Sequence, residues 1–563
     1  MRKFVALFVL VASLALPFQS ADAQRRRRSG PTTGTTQTAQ RNGVDQITAR
    51  QLSDYLHFIA SDEMEGRDTP SRGLDITARF IAMNLSRWGF KPAGDDGTYF
   101  QKIALKRFKI NPSATRAEIG GQAFTYGTDF LASTSSGFSS PSGGSATGPL
   151  VYVGHGWVIK SKNIDAYQGV DVKDKIMVVA GGSLPKGVSF ADIGDGKPGV
   201  DWDNAVTYAG SHGAKGIIMI PNINVLTGWE RTRQQAIERG SSPVVERFMR
   251  QNNAPPVPII TASLVMLDAI FRGEQTQAAE IFRRRINEEP GTAFALSPNK
   301  IASLNVAAIP ETVNTQNVVA VFEGSDPLLK NEYVAIGAHY DHVGTGTPVN
   351  GDAIYNGADD DGSGTTGILA IAEALAHAGQ RPKRSVLFVW HAGEEKGLWG
   401  SRYFTQFPTV PLDRVIAQLN IDMIGRSKKD GDTNPRNKEL SGPNEIYVIG
   451  SKMMSTELGE LSERVNKSYL NLSFNYRYDD PNDPNRFFFR SDHFNYAQKG
   501  IPIIFYFDGE HEDYHRPGDE ADKIDYQKME RVARTIYMTL WEVANLSARP
   551  RVDKQLPREL MGN

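Results

Sequence analysis

The sequence predicts an α/β protein with a mostly parallel central sheet, helices on both faces, and a smaller inserted domain. Three observations predict it. Apolar runs at 317–323, 333–338, 385–390, 415–421, 445–450 and 501–507 have the length and continuity of strands buried in a sheet. Amphipathic stretches at 364–378, 455–466 and 526–545 alternate with them, as helices between parallel strands do. Residues 113–305 break this rhythm with a Ser-, Gly- and Thr-rich segment at 133–145 followed by short β-like runs.

In chain order, residues 1–23 have the form of a secretory signal. Arg2 and Lys3 precede an apolar core over 4–17, and Ala21-Asp22-Ala23 offers a cleavage site, with cleavage expected after Ala23. The core is short for a membrane anchor, and no later stretch is long and apolar enough to span a bilayer. A periplasmic or secreted protein is expected. Residues 24–44, with arginines at 25–28, lack apolar periodicity and read as a linker or pro-segment. Helical spacing returns at 48–60 (Leu52, Leu56, Ile59) and at 74–88 (Ile76, Phe80, Ile81, Met83, Leu85). Between these helices, Glu65-Gly66-Arg67 could form an acid/base triplet but is better read as a surface loop lying near another element. Within 113–305, strands are expected at 149–153, 175–180, 216–220 and 257–260, and a helix at 202–212; His155 and His212 stand alone there. Residues 549–563 form a peripheral tail.

Composition narrows the chemistry. A length of 563 residues allows about three or four domain-sized units. A formal net charge of −1 gives no pull toward nucleic acid or membrane. There is no cysteine, which removes disulfides, thiolate metal sites and cysteine nucleophiles, so any metal must be held by His, Asp and Glu.

Such residues gather at strand ends. The run 333–338 leads into His339 and Asp341, and the run 385–390 leads to Glu394 and Glu395. Between them lies the acidic triplet Asp359-Asp360-Asp361, closed by Gly362 and Gly364; later come Asp422 in NIDMIG and His515 in DYHRPGD. In a parallel sheet the C-terminal strand edge is where sites form. Two imidazoles and several carboxylates suit a divalent ion such as Zn²⁺, with Mn²⁺ or Co²⁺ as substitutes. Several ionised acids at the end of a buried sheet need cations, which points to more than one, and one carboxylate shared by two ions is the usual two-metal arrangement. Adjacent Glu394 and Glu395 cannot both face one site from a regular strand, because side chains alternate. They therefore belong to the loop 391–397, where Gly393 permits the turn.

The ordered set AHYDH, GADDDGSG, HAGEEKGLWGS, NIDMIG, RSDHFNYAQKGIP and DYHRPGD resembles the co-catalytic di-zinc exopeptidases, which include bacterial leucyl aminopeptidases, glutamate carboxypeptidases and transferrin-receptor-like proteins. The similarity covers 45–112 and 306–548, with SDEMEGRDTPSRGLDITARF matching the family's N-terminal stretch. The insert, 113–305, is similar to a protease-associated domain in LVYVG, VDVKDKIMVV and AGSHGAKGIIMI. The resemblance implies two Zn²⁺ per chain. Asp360 would bridge them, with His339 and Asp422 completing one site and Glu395 and His515 the other. Glu394 would be the general base, Asp341 would hold the His339 ring, and Tyr514 would polarise the scissile carbonyl. His493, in the motif Ser491-Asp492-His493, is expected to support the site without binding metal. The implied function is an aminopeptidase acting on peptides with a free N-terminus. The alternatives are a carboxypeptidase or dipeptidase, for which Arg402, Arg426 and Arg490 are candidate carboxylate receptors, a non-catalytic receptor-like protein, and a one-zinc glutaminyl cyclase. The five intact ligands and the insert count against the last.

Overall fold

The computed structural model describes residues 43–132, 143–181, 184–194, 196–249, 257–289 and 291–556; the expected signal segment and most of the expected linker lie outside them. Ten strands form the central sheet among the described residues. In chain order they are β1 (Lys91–Pro92), β2 (Phe100–Ile110), β3 (Val244–Val245), β4 (Ala308–Phe322), β5 (Tyr333–His339), β6 (Ser385–His391), β7 (Val415–Ile421), β8 (Glu445–Ile449), β9 (Ser473–Asn475) and β10 (Ile503–Phe507). The spatial order is β3-β2-β4-β6-β5-β7-β10-β8-β9, with β1 also pairing β4. The middle strands β6, β5, β7 and β10 run parallel. Antiparallel pairs flank them, β4 beside β6 on one side and β8 beside β10 on the other.

Alternation along the buried strands divides the core into two layers. Val386, Phe388 and Trp390 of β6 face one cluster, Leu387 and Val389 the other. Five helices cover the first face: α1 (Ala49–Ile59), α2 (Arg72–Arg87), α3 (Gly364–Ala376), α4 (Thr456–Ser468) and α5 (Tyr526–Asn545). Helices Trp399–Gln406 and His493–Ala497 supply Phe404 and Tyr496 to the second face. Thr48 and Ser71 cap α1 and α2 with side-chain hydrogen bonds to Gln51 and Leu74.

β2 and β4 leave the sheet together as an antiparallel ribbon, paired from Phe100↔Val318 to Ile110↔Ala308. Beyond it stands a second, nine-stranded sheet with its own hydrophobic clusters. Ile176–Val179, Gly216–Met219 and Ile259–Ala262 are its parallel centre. β3, which also comes from this stretch of chain, returns to pair with β2. No described helix is long and apolar enough to cross a membrane.

Candidate metal centre

The C-terminal ends of the central strands converge on one rim. His339 is the last residue of β5 and Asp422 follows β7 directly. Glu394 and Glu395 lie past the end of β6, after Gly393 with φ of +71°, in a turn closed by Gly397 N–H donating to Glu394 O at 2.8 Å. Asp360 lies in the turn before α3, and His515 in the loop between β10 and α5.

The acidic triplet divides its work. Asp361 accepts from the N–H groups of His339 (3.1 Å), Gly364 (2.9 Å) and Met423 (3.1 Å), tying three loops together. Asp359 accepts from Gly425 N–H at 2.7 Å and lies 3.3 Å from His511 Nε2. Asp519 accepts the main-chain N–H groups of Asp359 and Asp360. With its neighbours held this way, the Asp360 carboxylate projects between two groups of ligands. Oδ1 lies 3.3 Å from His339 Nε2, which is 3.5 Å from Asp422 Oδ1. Oδ2 lies 3.1 Å from His515 Nε2, which is 3.1 Å from Glu395 Oε2. The five residues expected from the sequence thus meet as two groups sharing Asp360.

A sixth residue joins them. His342 Nδ1 lies 2.9 Å from Glu395 Oε1 and 3.6 Å from Asp360 Oδ2, and His342, Asp360 and Glu395 form the second of two triads with metal-binding spacing. Sequence reasoning missed it. The signal was the second histidine of AHYDH, hidden because a residue in an irregular loop carries no periodicity to show where it points.

Hydrogen-bonding inventory tests whether a metal fits. Asp360 Oδ2, Glu395 Oε1, His342 Nδ1 and His515 Nε2 are all buried without a hydrogen-bond partner. Buried polar atoms rarely stay unpaired, and divalent ions such as Zn²⁺ bind just this donor set. The residues fit.

Two sequence readings need correction. Arg67 is no surface residue: it is fully buried. Its guanidinium donates to the carbonyls of Tyr340 (3.0 Å), Ile59 (2.9 Å), Asn356 (2.7 Å) and Gly357 (2.8 Å). Asp341 also acts differently from expectation. His339 Nδ1 donates to the Asp341 main-chain carbonyl at 3.1 Å, whereas the carboxylate, 3.8 Å from that nitrogen, accepts Glu394 N–H at 3.1 Å. It positions the glutamate loop more directly than the imidazole.

Electrostatics separates the two glutamates. Burial, reinforced by the carboxylates of Glu395, Asp422 and Asp492, raises Glu394 well above the usual carboxylate range. Burial would raise Glu395 too, but the imidazoles of His342 and His515 pull it down to about 2. Neighbouring carboxyls pushed apart in this way are suited to different roles. Burial lifts Asp341 to about 7. Burial also lifts Tyr514, whose ring stacks on His515 at 4.0 Å between centroids.

Beside Asp360, Glu394 and Asp422 opens a pocket lined also by Met423, Phe487, Phe505, Phe507, Arg490, Glu510 and Tyr514. Of the three candidate arginines only Arg490 lines this pocket, and Arg490 and Arg426 are each already paired with a carboxylate. Arg490 pairs with Glu510 at 2.6 Å, Arg426 with Asp513 at 3.0 Å, and Arg402 lies over the Phe248 ring at 4.2 Å. His493 donates to Phe488 O at 2.8 Å and stacks on Phe505, away from both triads.

The model of peptidase family M28 matches residues 317–540. A probable zinc metalloprotease of Pyrenophora teres f. teres is 30% identical over 304 residues, 48% of this chain and 60% of that protein. Leucine aminopeptidase 2 of Trichophyton equinum is 29% identical over 231 residues, 40% of each. The chain thus spans between 40% and 60% of the length of these curated relatives. The solved structure of an aminopeptidase from an Aneurinibacillus species aligns over 92% of this chain and 98% of that one, with 18% identity and a TM-score of 0.47.

Proposed function

We propose that the protein, which the model of peptidase family M28 matches over residues 317–540, is an exported di-zinc exopeptidase that removes N-terminal residues from peptides. His339 and Asp422 would hold one ion, Glu395 and His515 the other, and Asp360 both. Bound zinc supplies an acidified water and an electrophile for the scissile carbonyl. The chain supplies the rest. Glu394 takes the proton of the attacking water and passes it to the leaving amine, a role suited to its raised proton affinity. Asp341 fixes Glu394 through the main-chain hydrogen bond at 3.1 Å. Tyr514, in the pocket lining, donates to the carbonyl oxygen as charge develops there.

The observation that favours the N-terminal end over the C-terminal end is the state of the arginines. A carboxypeptidase needs a cation free to bind the terminal carboxylate, and Arg490, the arginine at the pocket, is already neutralised by Glu510 at 2.6 Å. The carboxylate-rich rim favours a substrate ammonium instead. Peptides with a free α-amine and an apolar first residue should be shortened from the N-terminus, N-acetylation should abolish this, and chelation should abolish it reversibly. Cleavage of acetylated peptides from the C-terminus would refute the proposal.

A further inference from the structure

We infer that His342 is a fourth protein ligand of the ion at Asp360, Glu395 and His515, making that site closed, while the ion at His339, Asp360 and Asp422 keeps a coordination position open. The inference rests on the proposed presence of metal at the site and goes beyond it in the ligand set.

Three observations carry it. First, His342 is fully buried and neither ring nitrogen has a hydrogen-bond partner. Nδ1 stands 2.9 Å from Glu395 Oε1 yet makes no hydrogen bond to it, so the pair is close without being aimed at each other. Two lone-pair donors in that relation are neighbouring corners of a coordination polyhedron. Second, the spacing is right. Donors about 2.0–2.1 Å from a tetrahedral zinc stand about 3.4 Å apart. His342 Nδ1 lies 2.9 Å from Glu395 Oε1 and 3.6 Å from Asp360 Oδ2, and His515 Nε2 lies 3.1 Å from the same Asp360 oxygen and 3.1 Å from the other Glu395 oxygen, Oε2. Third, the ring is built into place. The main-chain N–H of His342 donates to Arg67 O at 3.2 Å, which fixes the backbone that carries the ring. Gly357, with φ of +57°, leaves room for it, because a Cβ there would lie 2.4 Å from His342 Cγ. His339 and His342 thus give one imidazole to each group. Closed four-ligand zinc sites are structural, whereas catalytic ones keep a place for water. The division assigns retention to the second ion and water activation to the first.

Chelator-stripped wild type, His342→Ala and His342→Gln are titrated with zinc against a chromogenic chelator. Wild type should show two steps. In His342→Ala one step should weaken by about 100-fold or more, beyond the 10- to 100-fold typical of a residue that only supports a ligand. Cobalt-loaded protein should show altered d–d bands for one ion in the variant, which a purely structural histidine would not cause. Unchanged affinities and unchanged cobalt bands overturn the inference. A wild type that takes a single ion overturns the two-ion reading instead, and the same variant then decides whether that ion uses His342. If the variants fail to fold, zinc-edge X-ray absorption of the wild type decides. Three imidazoles shared over the bound ions support the inference, and two overturn it.

Discussion

Replacing Arg67 should disable both the fold around the metal centre and its grip on metal. The guanidinium is fully buried and makes four hydrogen bonds, to the carbonyls of Tyr340, Ile59, Asn356 and Gly357. Tyr340 lies between His339 and His342, Asn356 and Gly357 precede Asp360, and Ile59 ends α1. Arg67→Met keeps most of the stem volume and removes every donor. A buried carbonyl left without a partner costs about 1–3 kcal/mol, so four cost at least about 4 kcal/mol even where water reaches some of them. A domain has only about 5–15 kcal/mol to lose. Loss of the positive charge adds to this, because Asp341 and Asp360 are among the carboxylates that keep Arg67 charged. Arg67→Lys should recover less than half, since an ammonium cannot reproduce the planar fork. Urea unfolding of stripped and zinc-loaded protein reads the stability, and competition with a chelator reads the affinity. We expect a 10- to 100-fold loss in zinc affinity for Arg67→Met, in line with other residues that support metal ligands. A variant within about 1 kcal/mol of wild type and with unchanged affinity would refute the reasoning.

The glutamates should separate cleanly. Glu394→Ala should retain its metal yet lose on the order of 100- to 10,000-fold in turnover, whereas Glu395→Ala should lose metal from one site and regain part of its activity in excess zinc. Metal content measured beside rate decides, and the reverse pattern would swap the two roles. His493 should make the protein acid-sensitive. Burial holds its ring at about 3, against the ordinary 6.5, so as pH falls the unfolded chain takes the proton first. The stability held by the neutral ring is complete above pH ~6.5 and is lost toward pH ~3 at about 1.4 kcal/mol per pH unit. Wild type should therefore weaken more than His493→Phe when urea midpoints are compared at pH ~7.5 and ~5.5; equal weakening would count against the assignment.

What the sequence could show depended on burial. β5, β6 and β7 are buried on both faces, so their apolar runs mark them, and for β7 the expected limits match Val415–Ile421. Their polar ends then mark the rim where His339 and Asp422 stand. The ribbon was much less visible. The expected strand at 317–323 begins at Ala308, and β2 was not expected at all, because outside the sheet these strands have no doubly buried stretch to make them stand out. Nor does spacing reveal what an irregular loop does. Within the triplet, only the folded turn shows Asp359 and Asp361 binding backbone N–H groups while Asp360 is free to face metal. His342 and Arg67 were missed for the same reason.

The ribbon also bears on the order in which the chain folds. Its pairs join residues roughly 200 positions apart, and closing a flexible loop of that length costs about 5 kcal/mol of entropy. Asn111 N–H donates to Ala307 O at 2.8 Å, and just inside that bond Arg116–Ile119 pairs with Ile301–Val306 in the second sheet. Once the second sheet has formed, β2 and β4 emerge side by side and can zip at nearly the cost of a hairpin. Pulse-labelled hydrogen exchange during refolding would read that order, with protection of the second sheet first. β4 then provides the edge against which β6 pairs, and the loop after β6 carries Glu394 and Glu395. A stretch of chain with no candidate ligand of its own thereby sets when the candidate metal centre can assemble, and a destabilised second sheet would show itself as slow maturation of a protein whose candidate site residues are all intact.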